Sequence, residues 1–436
     1  MKHLLKIISS LTIISTGVLA VSCTRRIDNN KDIKNNISSE NKDKNNRDNK
    51  DKEEKNNEIN KDKDMDQSNH TENEPQDDPN VTQPEKIEIT EEEKNNAVAA
   101  LKKVFKEQEE AFADFHTYQD VVDQMRVYLG DSGVKYLDKL KLANSSEQNI
   151  KLKPDNDKKQ NKININYLDR NIEFVPKIVL KDEVKEKYSD NKLVQIGYKW
   201  DKSVGKITIK KVDKNTIQVP KHLPLKINSL DMGFKDLLSS EVKNLDKWDT
   251  KNIKWMTETF SDTVNFNQSL NSWNTSSVAN MSLMFAGAKK FNQDLNSWDT
   301  SNVKEMMGLF WEADTFNGNI SNWNVKSVET MSSMFAGAKK FNQDLSKWDT
   351  SNVENMEGMF SETDVFNSNI SKWKTPKVTT MKQMFQKAKA FNQNLNSWDV
   401  KKVTHAENFR TGAESNITDD KLPKFEDYIL KEIKKK

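Results

Sequence analysis

The chain has one cysteine, Cys23, in 436 residues, so no disulfide can form within it. Apolar residues are also scarce, at 34% against 31% charged. Much of the chain therefore buries too little apolar surface to offset its ordering entropy, and its folded mass is smaller than its length suggests. No aromatic residue occurs from Thr24 to Lys86. An excess of one charge is lacking too. The 69 Lys and Arg face 67 Asp and Glu, leaving no global field directed at nucleic acid. The five histidines (His3, His70, His116, His222, His405) are scattered, without metal-ligand spacing. There is no nucleophile elbow and no phosphate-binding glycine loop. Asp155-Asn156-Asp157 lacks the glycine and distal glutamate that a calcium loop needs. The expectation is a protein that is not an enzyme and uses no cofactor or metal.

What is present begins at the N-terminus. Lys2 and Lys6 precede an apolar stretch from Ile7 to Val21, which closes in Ala20-Val21-Ser22-Cys23 and is followed by Arg25 and Arg26. A basic start, a short apolar core and small residues before a cleavage point are the parts of an export signal. The core is shorter than the roughly 20 residues a membrane span needs. With cysteine at the cleavage point, the segment resembles the lipobox of bacterial prolipoproteins, although Ala20 stands where many have leucine. The resemblance implies cleavage between Ser22 and Cys23, a diacylglyceryl anchor on Cys23 and attachment to the membrane by acyl chains.

From 23 to 86 the composition of Asn, Lys, Asp and Glu reads as a disordered tether. Thr90-Glu91-Glu92-Glu93 is a capping-box signature before Val98, Leu101, Phe105, Phe112 and Phe115 at helical spacing, and a second helix is expected from Thr117 to Gly130. The period then changes to alternation at Ile163-Asn164-Ile165, at 172–175, at 193–198 and at 206–212, the last two reading as a hairpin turning at 203–205. Residues 87–224 are thus expected to form a small helix-then-sheet module.

From Leu245 the sequence repeats every 25 residues. Tryptophan stands at 248, 273, 298, 323, 348, 373 and 398, with Phe twelve residues later and a Phe-Asn pair after that. A fixed period of this size means a stacked array. In one unit, Leu345 suits a short strand, Asp349-Thr350-Ser351 with Glu354 offers helix-capping chemistry, and Val353, Met356, Met359 and Phe360 have helical spacing. Asn367 stands where a polar ladder residue would satisfy turn backbone groups.

The unit Phe-Asn-Gln-Asp-Leu-x-x-Trp-Asp-Thr-Ser-Asn-Val-x-x-Met-x-x-Met-Phe resembles the BspA-type leucine-rich repeats of mycoplasma surface prolipoproteins. The resemblance implies a lipid-anchored protein on the extracellular face of the cell membrane, and adhesion to a host extracellular matrix protein or glycan. The fold class expected is an α/β repeat solenoid, leucine-rich-repeat-like, with a short strand and a short helix in each 25-residue rung. It is preceded by a small α+β module and a disordered tether. The organisation is a signal peptide at 1–22, lipidated Cys23 and tether at 23–86, the module at 87–224, an N-terminal cap at 225–244, repeats at 245–413 and a C-terminal capping helix at 414–436.

A 50-residue super-period overlies the repeats, since Ala286-Gly287-Ala288-Lys289-Lys290 recurs at 336–340. It sets Lys289 and Lys290 next to Glu312 and Asp314, which reads more readily as charge pairing between neighbours than as a ligand-reading pattern. The Trp and Met stripes read as core. Trp255 and Trp311 are off register and are the candidate ligand-binding residues. Rival readings are an antigenically variable surface coat without a specific ligand, and a binding or enzymatic lipoprotein acting through residues 87–224.

Overall fold

The structure, a computed structural model, describes residues 89–154 and 161–434. The signal peptide, Ser22, Cys23, the tether to residue 86 and Asp155-Asn156-Asp157 lie outside the described residues. The described residues fall in one compact unit.

Helix α1 spans Glu91–Glu107, and its capping box closes reciprocally between Thr90 and Glu93. Helix α2, Tyr118–Gly130, repeats the device with Thr117 and Asp120. Each box satisfies backbone N–H groups that a helix start leaves unpaired. Three strands, β1 (Lys141–Leu142), β2 (Ile163–Tyr167) and β3 (Arg170–Phe174), form an antiparallel sheet. Ile163, Ile165, Ile172 and Phe174 pack with Leu101, Phe105, Val121 and Met125 of the helices in a core of their own. A second antiparallel sheet joins β4 (Glu183–Val184), β7 (Tyr198–Asp201) and β8 (Lys206–Ile209), and β5 (Lys187–Ser189) pairs with β6 (Lys192–Gln195). The expected hairpin at 203–205 is thus the β7–β8 hairpin, whereas 192–195 pairs upstream.

The repeats correct the expected fold class. Among the described residues no α-helix lies between Gly130 and Asp427. The α/β solenoid with a helix in every rung is not what the chain forms. Among the described residues the regular structure is three small antiparallel sheets, three α-helices, α3 being Asp427–Lys434, and a few single 3-10 turns. The rungs are instead runs of turns joined by single parallel bridges. These connect Thr208 to Ser229, Ser229 to Trp255, and then Asn280, Glu305, Thr330, Asn355, Thr380 and His405 in succession. The pairing falls in the segment that had helical spacing, and Leu345, the expected strand residue, lies outside it.

The physical reason is a pair of left-handed residues in each rung. Ser333 has φ 53° and Gly337 has φ 73°, and the same two positions recur at Gly308 and Glu312, at Gly358 and Glu362, and at Gln383 and Lys387. A residue in this region breaks the right-handed helix. What remains is a series of overlapping turns: Met334 N–H reaches Met331 O, Ala336 reaches Ser333, and Ala338 reaches Phe335. The alternate N–H groups of Met331, Ser333, Phe335 and Gly337 donate instead to Asn355, Glu357, Met359 and Ser361 of the next rung. Backbone polar groups are thereby satisfied without helix or long strand.

These turns direct Met331, Met334, Phe335 and Ala338 inward, where all are fully buried. Phe285, Phe310 and Phe335 stack 5.7 Å apart down one column, and Phe291, Phe316 and Phe341 stack at 5.9–6.0 Å down a second. Trp298, Trp323 and Trp348 form a third, with centroids 6.4 Å apart and nearly parallel rings. The core reading of the Trp and Met stripes matches this interior. Phe234 stacks on Phe260 at 5.2 Å, so residues 225–244 carry a rung of the same kind. At the far end Phe425 packs edge-on against Phe409, and Ile429 and Ile433 of α3 are buried behind it.

Candidate functional site

Because the aromatic columns occupy the interior, whatever the repeats present to other molecules stands on the outward columns. Trp311 is partly exposed in a column whose neighbours are Ala286 and Ala336. Trp255 is a bridge residue in the ladder, partly exposed, with the Lys206 ammonium 5.2 Å from its ring centroid. That cation–π contact, together with the Lys206–Asp231 ion pair, occupies one face of the indole. The two tryptophans lie two rungs apart in different columns, and the fold does not bring them together.

A second outward row is the asparagine ladder. Asn292 N–H donates to Asn267 Oδ1 at 2.9 Å, Asn317 to Asn292 at 2.7 Å, Asn342 to Asn317 at 2.9 Å and Asn367 to Asn342 at 2.9 Å. Each side-chain carbonyl thus satisfies a turn N–H of the following rung, the role anticipated for Asn367. Inside the opposite turn, Thr275, Thr300 and Thr350 donate their hydroxyls to carbonyls 24 residues on, at 2.7–3.0 Å. Asp349 Oδ1 accepts from Ser351 N–H at 3.2 Å, so the capping chemistry read at 349–351 closes a turn and starts no helix.

The charged row beside the asparagines pairs across rungs. Lys289 lies 3.2 Å from Glu312 and 3.3 Å from Asp314, Lys339 lies 3.2 Å from Asp314, and Lys389 lies 2.8 Å from Asp364. This is the neighbour pairing expected from the super-period. The adjacent Lys290 and Lys340 are exposed and take no ion-pair partner among the described residues. Sequence reasoning grouped Lys290 with Lys289; only the geometry separates the free lysine from the paired one. An open hollow of about 470 Å³ lies at the head of this row, lined by Leu238, Ser240, Asn265, Asn267 and Lys290.

The module holds two further features. A groove of about 540 Å³ runs between α1 and β3, with Val98, Phe105, Ile172 and Phe174 beneath Lys102, Lys106 and Arg170. His116 is buried, with its Nδ1 3.1 Å from the backbone of Ala113 and its Nε2 3.1 Å from the Tyr198 hydroxyl. Burial pushes its pKa down to about 4, so the ring is neutral at physiological pH. The other two described histidines stay apart, with His222 beside Asp131 and His405 in the last bridge. No group of three or more His, Cys, Asp or Glu side chains among the described residues is placed to hold a metal ion. No helix among them is long and apolar enough to cross a membrane.

Residues 228–338 and 316–421, which coincide with the bridged rungs, match a family described as Mycoplasma protein of unknown function, DUF285. The repeats are thus similar to a mycoplasma domain of unknown function. The matched stretch begins at the rung of Ser229 and ends at residue 421, ahead of Phe425, which packs against Phe409. No curated protein and no solved structure matches the chain.

Proposed function

We propose that the chain is a surface lipoprotein, cleaved after Ser22 and acylated on Cys23, that holds BspA-type repeats outside the cell membrane for extracellular interaction, with host adhesion as its role. Export and anchoring rest on the lipobox resemblance of residues 20–23. The interaction reading rests on one observation: the fold consumes the inward columns, while the outward columns vary from rung to rung. Trp311 stands partly exposed among Ala286, Ala336 and Ser361 at one such position, and tryptophan is enriched among binding hot spots. The full-length protein should bind a host matrix protein or glycan saturably, and a Trp255→Ala, Trp311→Ala double variant should lose that binding while keeping its fold. Unchanged binding in the variant removes the tryptophans from the account. No binding to any matrix component removes adhesion.

A second reading, a variable surface coat without a specific ligand, is favoured by the self-paired charges. Lys289, Asp314 and Lys339 satisfy one another across rungs, which suits insertion or loss of rung pairs without a change of partner. Repeat number varying among strains without effect on any one binding activity would support it.

A further inference from the structure

The 50-residue super-period gives the asparagine face a corrugation that a single 25-residue rung would not have. Lys290 and Lys340 occupy the same register two rungs apart, and Thr315 and Val365 occupy it on the rungs between and beyond. Both lysines are exposed and unpaired among the described residues, while Lys289 and Lys339 beside them are held by Asp314. The two free cations therefore stand two rungs apart, about 12 Å at the 5.9–6.0 Å spacing of the Phe291, Phe316 and Phe341 column beside them.

At the register of Gln293 and Gln343 the intervening rung carries Gly318, where a Cβ would stand 2.1 Å from Gln293 O, so that rung projects no side chain at this register. Gln293 and Gln343 stand on the lysine rungs, each with its amide 3.1 Å from an asparagine Oδ1 of the rung before. The lysine rungs thus add a cation and a glutamine amide to the asparagine that every rung carries, and the rung between them has Thr315 and Gly318 at those registers. Asp294 and Asp344 lie on the far side of the asparagine ladder, each accepting a backbone N–H, from Asn319 and Ser346. The hollow that Lys290 borders opens at the head of the row.

We propose that this face binds a linear acidic polysaccharide carrying one anionic group on every second sugar, laid along the stack so that successive anions meet Lys290 and Lys340. The proposal rests on the outward-surface reading above and names its ligand class. Sugar hydroxyl and amide groups of the uncharged units face the asparagine and glutamine amides. A stiff polymer whose charge period matches the two-rung period engages both lysines at once, and the second contact then benefits from effective concentration.

The test uses the full-length protein against immobilised hyaluronan, a polymer with one carboxylate per disaccharide, and against polygalacturonate and dextran. Hyaluronan binding is expected to be saturable and to weaken with salt. The Lys290→Ala, Lys340→Ala double variant should bind about tenfold more weakly, two exposed ionic contacts being worth up to ~1 kcal/mol each. A Lys347→Ala, Lys372→Ala variant, which removes the same charge elsewhere on the stack, should bind like the parent. Equal loss in that variant, tighter binding to polygalacturonate, or no binding to hyaluronan overturns the proposal. Attachment to host cells stripped of acidic polysaccharide would overturn it while leaving the adhesion reading in place, and absence of attachment to any cell would remove both.

Discussion

The indole N–H of Trp298 donates to the main-chain carbonyl of Leu270, 28 residues earlier, at 3.1 Å. The same bond joins Trp273 to Leu245, Trp323 to Leu295, Trp373 to Leu345 and Trp398 to Ile370, at 2.9–3.1 Å. A buried indole N–H needs an acceptor, and here each rung lends one to the next. The tryptophan column is therefore both an apolar stack and a register pin.

Trp348 departs from the pattern, since its buried Nε1 has no partner among the described residues. Trp298→Phe and Trp348→Phe remove the same volume from the same column, but only the first breaks a hydrogen bond. Trp298→Phe should cost at least about 1 kcal/mol more than Trp348→Phe, the net worth of one such bond. Urea denaturation of the two variants measures the gap; equal costs would mean that the pinning bond adds nothing.

The asparagine ladder should behave as a chain of acceptors. Asn317 Oδ1 receives Asn342 N–H and the Gln343 amide, so Asn317→Ala should destabilise by about 1 kcal/mol. Asn317→Asp keeps the acceptor and should recover most of that loss. A thermal shift that treats both substitutions alike would show that the side-chain carbonyl does not carry the contact.

His116 gives a pH dependence with a definite sign. Burial lowers its folded pKa from 6.5 to about 4, so between those values the unfolded chain binds more protons than the folded one. Stability from this group is complete above pH 6.5 and is lost as pH falls toward 4. From pH 7 to pH 5 the loss should be roughly 2 kcal/mol, at 1.36 kcal/mol for each pKa unit crossed. Denaturation of the parent at the two pH values should show it, and a His116→Phe variant should be flatter across the same window. A parent that is equally stable at both values contradicts the buried neutral ring.

Some of this was plain in the sequence. The capping box at Thr90, the helix start at Thr117, the inward stripes and the asparagine row follow from local chemistry, because each depends on residues a few positions apart or on the period itself. The helices expected in the rungs did not follow. Met356, Met359 and Phe360 have the spacing of a helix face, and three overlapping turns bring such residues to one side equally well. The contrary signal was the recurrence of Gly308 and Gly358 at one register and of Gly287, Gly337 and Gly412 at another. It was masked because Leu283, Ser333 and Gln383 occupy the first position elsewhere with the same left-handed backbone. Of the candidate site, the off-register placement of Trp255 and Trp311 could be read in advance. The cation over Trp255 and the division of Lys289 from Lys290 could not, since both depend on which rung lies beside which.

Substitution of Gln383 by glycine tests the rung architecture most directly. Gln383 has φ 53°, and glycine adopts that conformation without the steric cost another residue bears. Gln383→Gly should therefore raise the free energy of unfolding by about 0.5–1 kcal/mol. Were the segment a helix, the same substitution would lower it by about 1 kcal/mol, and that sign would contradict the turn-built rung.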